Sequence, residues 1–347
     1  ALALDHGALA VQAPPGTGFS ATLDRLIAAL TEDGRTVGIC AVDAVAERQV
    51  EADTPTPPGV TVGSLSDFVD DRRSIPWDVL ILVGAGRASL ADLAAIARSA
   101  SNLILCGDPG GMDRPRMRGR HPAALRQSVL AHLLDDGATI PSHLGVLLDE
   151  SAGFHPDICR VVSDIAYDGL LRSAADSAGP DRPNRQLGLG WVPVEHAGRT
   201  TACPEEVRAV TDVVASLAPD GGQDDDVLVV TPFGDHARLL AEALPDGCRV
   251  GTLDQAHHET ARVVVYTLAC SSPEAIPGGR NQIFSRHRLA AALSCARDLA
   301  VVVGNPSLLD ARCRNPRHVA QLNALIRAVD AGRTMQIHAP GRTPPQR

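Results

Sequence analysis

A glycine-rich segment near the start of the chain has the pattern of a phosphate-binding turn. Residues 11–20 read VQAPPGTGFS, an apolar run that leads into Gly16 and Gly18 and then into an Ala/Leu-rich stretch typical of a helix. In such a turn, backbone N–H groups point at phosphates, a lysine reaches the β- and γ-phosphates, and a hydroxyl such as that of Ser20 binds Mg²⁺. Here Phe19 stands where the lysine belongs, and Ala13 stands where the first glycine belongs.

No lysine elsewhere in the chain can supply the missing charge. The letter K is absent from the 347 residues, so all 32 of the Lys-plus-Arg residues are arginines. Compensation would have to come from an arginine, for which Arg25, Arg87 and Arg297 are the candidates. The net charge of −9 opposes non-specific binding to polyanions, although a local arginine-lined groove could still bind nucleic acid.

Other clusters of reactive residues have simpler interpretations. His257, His258 and Glu259 are adjacent but lack the i, i+4 histidine spacing of a zinc-binding helix, so we interpret them as surface or motif-remnant residues. The acidic run 224–226 lacks the glycine and the distal glutamate of a calcium loop, which favours a solvated loop. The basic stretch 285–288 fits a nucleic-acid contact and a solvated helix start equally well. The eight cysteines show no C-x-x-C pair, which favours free thiols in a reducing cytoplasm.

The elements that would position these residues alternate between strands and helices. Residues 8–12, 36–41, 79–83 and 103–106 read as buried parallel strands, with helices over 21–31 and 90–99. A second series has strands over 227–230, 248–252, 263–266 and 299–303 and helices over 204–217 and 235–244. The longest apolar runs of the chain, around 79–83 and 299–303, are too short to span a membrane. We expect an N-terminal domain over 1–172, a Pro/Gly/Ser-rich linker over 173–186, a C-terminal domain over 187–330 and a flexible tail over 331–347. Because the chain starts at Ala1 without a signal-like segment, we expect it to begin inside a longer gene product.

Seven segments in order resemble the motifs of Upf-like superfamily 1 helicases, in particular bacterial members whose helicase core follows a RecB-like nuclease region. Residues 11–20 resemble VQGPPGTGKT, 77–93 resemble FDVLIVDEAGQMSLAD, and 103–112 contain a version of GDPQQL. Residues 154–171 are similar to the RMHP segment with its helix, and 229–236 to PYxxQ. Residues 250–265 are similar to VGTVDKFQGQEAPVVI, and 288–297 to RLNVALSRAR. The likeness covers nearly the whole chain and implies an α/β fold of two tandem RecA-like P-loop domains with mainly parallel sheets, facing each other across an ATP-binding cleft.

The same alignment shows which chemical groups have been replaced. Val83 and Gly84 stand at the family's Mg²⁺-binding Asp and water-orienting Glu, and Arg87 stands at a glutamine. The paired glutamines of the third motif are Gly110 and Gly111. Gly153 replaces the RMHP arginine, and Cys295 replaces an arginine that resembles a finger on the γ-phosphate. By resemblance, the surviving cofactor-binding residues are Pro15, Gly16, Thr17, Gly18, Ser20, Asp108 and Arg297, with Ser20 as the sole metal ligand if Mg²⁺ binds.

These replacements lead to a functional expectation with alternatives. The family uses ATP and Mg²⁺, but losing an arginine finger alone removes about 10³–10⁵ in rate, and residues that act as a unit fail as a unit. We expect a cytoplasmic, helicase-like module deficient in ATP hydrolysis. It would bind nucleic acid weakly or act as a scaffold for a nuclease or helicase partner. The alternatives are an active ATP-dependent DNA or RNA helicase associated with a nuclease, and a decaying gene without function.

Overall fold

The computed structural model describes residues 7–43, 46, 50, 57–70, 76–109, 127–135, 137–175, 186–217, 226–256 and 259–335. The chain divides into two compact units, an N-terminal unit (Ala1–Ser151) and a C-terminal unit (Ala152–Arg347). Each is built around its own parallel sheet of six strands. The predicted α/β class with two mainly parallel sheets is therefore confirmed.

The N-terminal unit begins with β1 (Ala8–Gln12) and α1 (Phe19–Glu32). The other elements described in this unit are β2 (Val37–Ala41), β3 (Val60–Ser64), α2 (Leu65–Asp70), β4 (Trp77–Val83), α3 (Leu90–Ile96), a 3₁₀ turn (Ala97–Ser99), β5 (Ala100–Gly107), α4 (Val129–Leu134), β6 (Gly145–Leu147) and β7 (Glu150–Ser151). The strand order is β3-β2-β4-β5-β1-β6, and every neighbouring pair is parallel.

Both faces of this sheet are buried, as a parallel sheet requires. Along β4, Val79, Ile81 and Val83 join one hydrophobic cluster, while Leu80 and Leu82 join the cluster on the opposite face. Successive side chains of a strand point to opposite faces, so a continuous apolar run fills both layers. This arrangement explains why the strand reads as an unbroken hydrophobic stretch in the sequence.

The C-terminal unit repeats the same architecture. The elements described in it are α5 (Pro156–Ala166), β8 (Arg172–Ser173), β9 (Gly188–Pro193), α6 (Pro204–Leu217), β10 (Val227–Thr231), α7 (Gly234–Ala243), β11 (Arg249–Thr252), α8 (Leu253–Ala256), β12 (Ala261–Thr267), α9 (Asn281–Phe284), α10 (Arg286–Ser294), β13 (Ala296–Gly304), a 3₁₀ helix (Pro306–Asp310), α11 (Pro316–Ala331) and β14 (Arg333–Thr334). The sheet order is β11-β10-β12-β13-β9-β14. When β9 is counted as the first strand of this sheet, the order becomes 3-2-4-5-1-6, which is the order of the N-terminal sheet.

The compact units divide at Ser151, whereas the sequence analysis places the end of the first domain at residue 172. Helix α5 falls in the C-terminal unit because it packs on α10, α11 and β9. Most of the expected linker (residues 176–185) and of the expected tail (336–347) lies outside the described residues. Within the expected tail, β14 pairs with β9, and Met335 N donates to Trp191 O at 2.8 Å. We therefore propose a domain boundary close to Ser151.

Candidate functional site

The glycine-rich turn has the predicted strand–turn–helix form. Gly16 (φ 74°) and Gly18 (φ 66°) adopt the left-handed conformation that favours glycine, and α1 starts at the next residue, Phe19. Ala13 N donates to Gly107 O at 2.8 Å, which ties the start of the turn to the end of β5. Thr17 Oγ1 donates to Pro14 O at 2.7 Å, and the carbonyl of Pro15 accepts from Ser151 Oγ at 3.0 Å. The turn therefore has a well-defined backbone shape.

The residue at the lysine position contributes packing instead of charge. Phe19 is half-buried and packs against the hydrophobic cluster formed by α1 and one face of the sheet. Ser20, the predicted Mg²⁺ ligand, is the second residue of α1 and is half-buried. Gly18 provides no side-chain cap for α1, so the positive end of the helix dipole is the cationic feature that this turn itself supplies.

Val83, the last residue of β4, and Gly84, the residue after it, stand at the two positions where the resembled helicase motif has carboxylates. Val83 is 4% exposed and belongs to the hydrophobic core. Gly84 follows with φ 87°, and the N–H groups of Gly84 and Ala85 both donate to Cys106 O at 2.9 Å. This backbone pairing closes the strand end against β5.

A guanidinium lies beside Gly84 where an acidic side chain would begin. A Cβ added to Gly84 would lie 3.2 Å from Arg87 Nη2 and 3.4 Å from Val42 Cβ. Arg87 Nε donates to Asp43 Oδ2 at 2.7 Å, and Arg87 Nη2 donates to Asp43 Oδ1 at 3.2 Å. Arg87 is thus engaged in a two-pronged ion pair with the residue that follows β2 by two positions.

The third motif lies beside these loops because β1, β5 and β4 are adjacent parallel strands. Their carboxyl ends share one edge of the sheet, which is where ligands bind in open α/β folds. Asp108, a predicted cofactor-binding residue, lies 3.5 Å from Gln12 Nε2 through its Oδ1. The Gln12 amide also donates to Ala138 O and accepts from Ile140 N. Gly110 and Gly111 lie outside the described residues.

The remaining predicted site residues belong to the C-terminal unit. Cys295 is 2% exposed, and its thiol donates to Ala291 O at 3.2 Å. Burial raises the pKa of this thiol to about 12, so it is uncharged at neutral pH. Gly153 is half-buried and precedes α5. Neither the thiol nor the glycine carries the positive charge that the arginines of the resembled helicase motifs would bring to a phosphate.

Arg297 is drawn into an ion-pair network at the start of β13. Its Nη2 donates to Asp226 Oδ2 at 3.0 Å, and Arg249 bonds the other oxygen of the same carboxylate. Arg249 also bonds Glu259 at 2.7 Å, which places the described member of the 257–259 cluster in a surface ion pair. His257, His258, Asp224 and Asp225 lie outside the described residues.

The basic stretch 285–288 begins a helix. Ser285 caps α10 by accepting from Arg288 N at 3.4 Å, and Arg288 Nη1 donates to Asp254 Oδ1 at 2.7 Å. The stretch therefore starts a helix, as expected, but the Arg288 side chain is only 12% exposed, and a nucleic-acid contact of this stretch stays a prediction. A contact between Arg288 and a phosphate would have to compete with Asp254.

Sequence reasoning missed a buried polar cluster formed by His196, Cys203 and Glu206. The nitrogen, sulfur and carboxylate oxygen of these residues all lie within 4.8 Å of one another. The residues are seven and three positions apart and match no metal-binding motif, so nothing in the sequence pattern indicated the cluster. The three side chains come together only in the folded unit, where the loop after β9 packs against the start of α6.

Comparison with known families places most of the C-terminal unit and the end of the N-terminal unit in one family. Residues 125–307, more than half of the chain, match AAA_12, described as an AAA domain. The chain belongs to the AAA_12 family. No curated protein matches the sequence of this AAA_12 chain.

Solved structures resemble this AAA_12 chain in fold, and 246 chains match it. One is the crystal structure of Arterivirus nonstructural protein 10 (helicase), with 15% identity, a TM-score of 0.49 and coverage of 88% of this chain and 61% of that chain. The complex of the same helicase with DNA gives 15% identity, a TM-score of 0.50 and coverage of 88% and 63%. The AAA_12 chain thus spans less than two thirds of these helicase chains.

The family match shows an AAA domain, and the solved structure of TM-score 0.50 shows a shared fold alone, so the superfamily 1 helicase assignment stays a prediction. The finer resemblance to Upf-like helicases and the link to a nuclease region stay predictions. Among the residues that the structure describes, no helix is long and apolar enough to cross a membrane.

Proposed function

We propose that this AAA_12 chain is a helicase-like core that does not hydrolyse ATP at a useful rate and that acts as a nucleic-acid-binding or scaffolding module. Its partner would be a nuclease or helicase encoded nearby. The observation that carries the proposal is the loop after β4, where Gly84 has a positive φ and Arg87 lies against it.

Hydrolysis of ATP by this fold needs groups that bind Mg²⁺ and orient water at that loop. Val83 and Gly84 offer neither a ligand nor a base, and the nearby carboxylate of Asp43 is engaged with Arg87. The guanidinium of Arg87 at this place also repels Mg²⁺, and because it is already protonated it cannot take a proton from an attacking water. Two features thus oppose hydrolysis: carboxylates are missing at positions 83 and 84, and the guanidinium of Arg87 lies beside Gly84.

The glycine-rich turn supports a weaker activity, the binding of an anion. Its backbone keeps the left-handed glycines at 16 and 18, and α1 presents its N-terminus without a side-chain cap. Helix N-termini bind phosphates through backbone N–H groups. We expect phosphate or nucleotide binding that is weak and shows little dependence on Mg²⁺.

Support for nucleic-acid binding comes from the fold shared with the Arterivirus helicase, which has been solved in complex with DNA. In this AAA_12 chain, the net charge of −9 limits the attraction to phosphates. Binding would have to use local arginines such as Arg286, which starts α10. We expect weak, strongly salt-dependent affinity for single strands.

Two measurements on the purified chain test the proposal. The first is phosphate release with MgATP, with and without single-stranded DNA or RNA. We expect no stimulation above background. Robust Mg²⁺-dependent turnover would overturn the proposal and establish the alternative, an active ATP-dependent helicase.

The second measurement is anisotropy of a labelled single strand, titrated with protein at several salt concentrations. Arg286→Gln should weaken binding and reduce the slope of log K against log [salt] by about 0.7, the value for one phosphate contact on a single strand. Arg238→Gln is the matched control, since Arg238 is exposed on α7 and pairs with Glu242. Equal losses in both variants would argue against a local site, and no binding at any salt concentration would leave the scaffolding role alone.

A further inference from the structure

Three buried side chains in the C-terminal unit bring a nitrogen, a sulfur and an oxygen to one point. His196 follows β9, Cys203 precedes α6, and Glu206 is the third residue of α6. The side chains of His196 and Glu206 are completely inaccessible to solvent, and Cys203 is 0% exposed. Nε2 of His196 lies 2.8 Å from Oε1 of Glu206, and the thiol lies within 4.8 Å of both residues' ligand atoms.

Separate hydrogen bonds hold the far sides of the imidazole and of the carboxylate. His196 Nδ1 bonds Ser271 Oγ at 2.7 Å, and Ser271 Oγ also accepts from Arg199 N at 2.9 Å. Glu206 Oε2 accepts from Ala269 N at 2.9 Å and from the hydroxyl of Thr267. Metal-binding histidines and carboxylates typically have such outer partners, which fix the ring and the carboxylate so that the ligand atoms face the metal.

We propose that His196, Cys203 and Glu206 form a binding site for a zinc ion. Imidazole nitrogen, thiolate sulfur and carboxylate oxygen are the ligand types that Zn²⁺ accepts, and the softness of the sulfur disfavours Mg²⁺ and Ca²⁺. Three protein ligands leave the fourth tetrahedral position for a water or another small ligand. This proposal does not rest on the proposed function.

The charge and the protons balance in such a site. A Zn²⁺ ion with one thiolate and one carboxylate is neutral overall, which suits a place closed to solvent. On binding, the thiol proton of Cys203 leaves to solvent and the Zn–S bond forms. The hydrogen bond between His196 Nε2 and Glu206 Oε1 breaks on binding, and the ring proton moves to Nδ1, whose N–H donates a hydrogen bond to Ser271 Oγ. Nε2 then binds zinc as the lone-pair nitrogen of a neutral ring.

The same contacts could instead form a network held by hydrogen bonds alone, so the test must detect the metal and its ligands. The full chain is stripped with a chelator and titrated with Zn²⁺ against a chromophoric chelator, and separately with Co²⁺ while thiolate-to-cobalt absorption is recorded. We expect one tightly bound Zn²⁺ per chain and a charge-transfer band from one thiolate.

Cys203→Ser should abolish the band and weaken zinc binding at least tenfold. Cys159→Ser is the matched control, because Cys159 is also buried in the C-terminal unit but lies on α5 outside the cluster. The control should bind zinc like the unmodified chain. No stoichiometric zinc, or unchanged zinc binding by Cys203→Ser, would overturn the proposal.

If Cys203→Ser does not fold, as judged by circular dichroism, X-ray absorption of the zinc-loaded unmodified chain decides the question. The proposal requires one sulfur among the zinc ligands, with nitrogen and oxygen ligands completing the shell. A shell without sulfur, or with two or more sulfurs, contradicts it.

Discussion

The side chain of Arg87 clamps the carboxylate of Asp43 through two hydrogen bonds, of 2.7 Å from Nε and 3.2 Å from Nη2. This pair connects the loop after β4 to the segment after β2. The exposed fraction of the Arg87 side chain is 15%, so the pair is partly shielded from water and from salt. An arginine thus occupies the side of Gly84 at which an acidic side chain would project, and it brings the opposite charge.

Restoring the acidic residue at position 84 should therefore not restore activity. Gly84→Glu and Gly84→Ala both place a Cβ on a residue with φ 87° and close to Arg87 and Val42. We expect Gly84→Ala to lower the free energy of unfolding by about 1–2 kcal/mol from backbone strain alone, and by more because of the crowding. Neither variant should hydrolyse ATP. Chemical denaturation and phosphate release measure the two effects.

Gly59→Ala is the matched control for this prediction. Gly59 lies in the same unit with φ 93°, but an added Cβ would have nothing within 4 Å. The difference between the two alanine variants then isolates the crowding beside Arg87. Equal destabilisation by both would show that Arg87 moves aside without cost.

Phe19→Lys should strengthen phosphate binding without turnover. A charge-assisted contact contributes roughly 1.5–3 kcal/mol, which is about 10- to 150-fold in the dissociation constant for ATP. The metal-binding and water-orienting carboxylates would still be missing at positions 83 and 84. Calorimetry with ATP and a phosphate-release assay measure binding and turnover.

The control for the charge is Phe19→Met, which keeps an apolar side chain against the cluster on which Phe19 packs. It should leave ATP binding unchanged. A gain in affinity with methionine would mean that the aromatic ring, rather than the missing cation, limits binding. Turnover by Phe19→Lys would contradict our account of the loop after β4.

Cys295→Arg should destabilise the C-terminal unit instead of providing an arginine finger. The thiol is 2% exposed, and an uncompensated buried charge typically costs about 3–5 kcal/mol. Cys295→Ser, a near-isosteric control, should cost much less. Thermal unfolding followed by circular dichroism compares them. Wild-type stability in the arginine variant would show that the position opens to solvent.

Asp78 should make the free energy of unfolding of the N-terminal unit depend on pH in the acidic range. Hydrogen bonds from the backbone and then from the hydroxyl of Thr36 lower the pKa of Asp78 below its ordinary value. A carboxyl whose pKa is lower in the folded state adds stability above its unfolded pKa of about 3.9 and loses it as the pH falls through the lower folded value. Because Asp78 is partly exposed, we expect Asp78→Asn to cost only about 1 kcal/mol at pH 7.

Urea titrations between neutral and strongly acidic pH measure this difference. The gap between the unmodified chain and Asp78→Asn should shrink below about pH 4. Thr36→Ala removes the hydroxyl that donates to the Asp78 carboxylate and accepts from the Asp78 backbone N–H. It should flatten the pH dependence in part, since the backbone N–H of Thr36 still donates to the carboxylate. A gap that is constant with pH would contradict the assignment.

The amino-acid sequence by itself determined the architecture and the list of replaced groups. Apolar β-branched runs such as those of β4 and β12 indicate buried parallel strands wherever they occur, and Gly16 and Gly18 permit a turn that other residues strain. Both signals are local, because a run of apolar residues and a glycine that can adopt a positive φ can each be recognised from a few consecutive residues. The missing carboxylates at 83 and 84 are equally visible in the sequence.

Only the tertiary structure decided what the replacing side chains do. Phe19 packs on the core, Arg87 bonds a carboxylate 44 residues away, and Cys295 lies closed from solvent. Ser271 lies 75 residues from His196 in the chain, yet it holds the ring of that histidine toward Glu206. Such contacts depend on which strand ends become neighbours in the sheet, and no pattern of nearby residues contains that information.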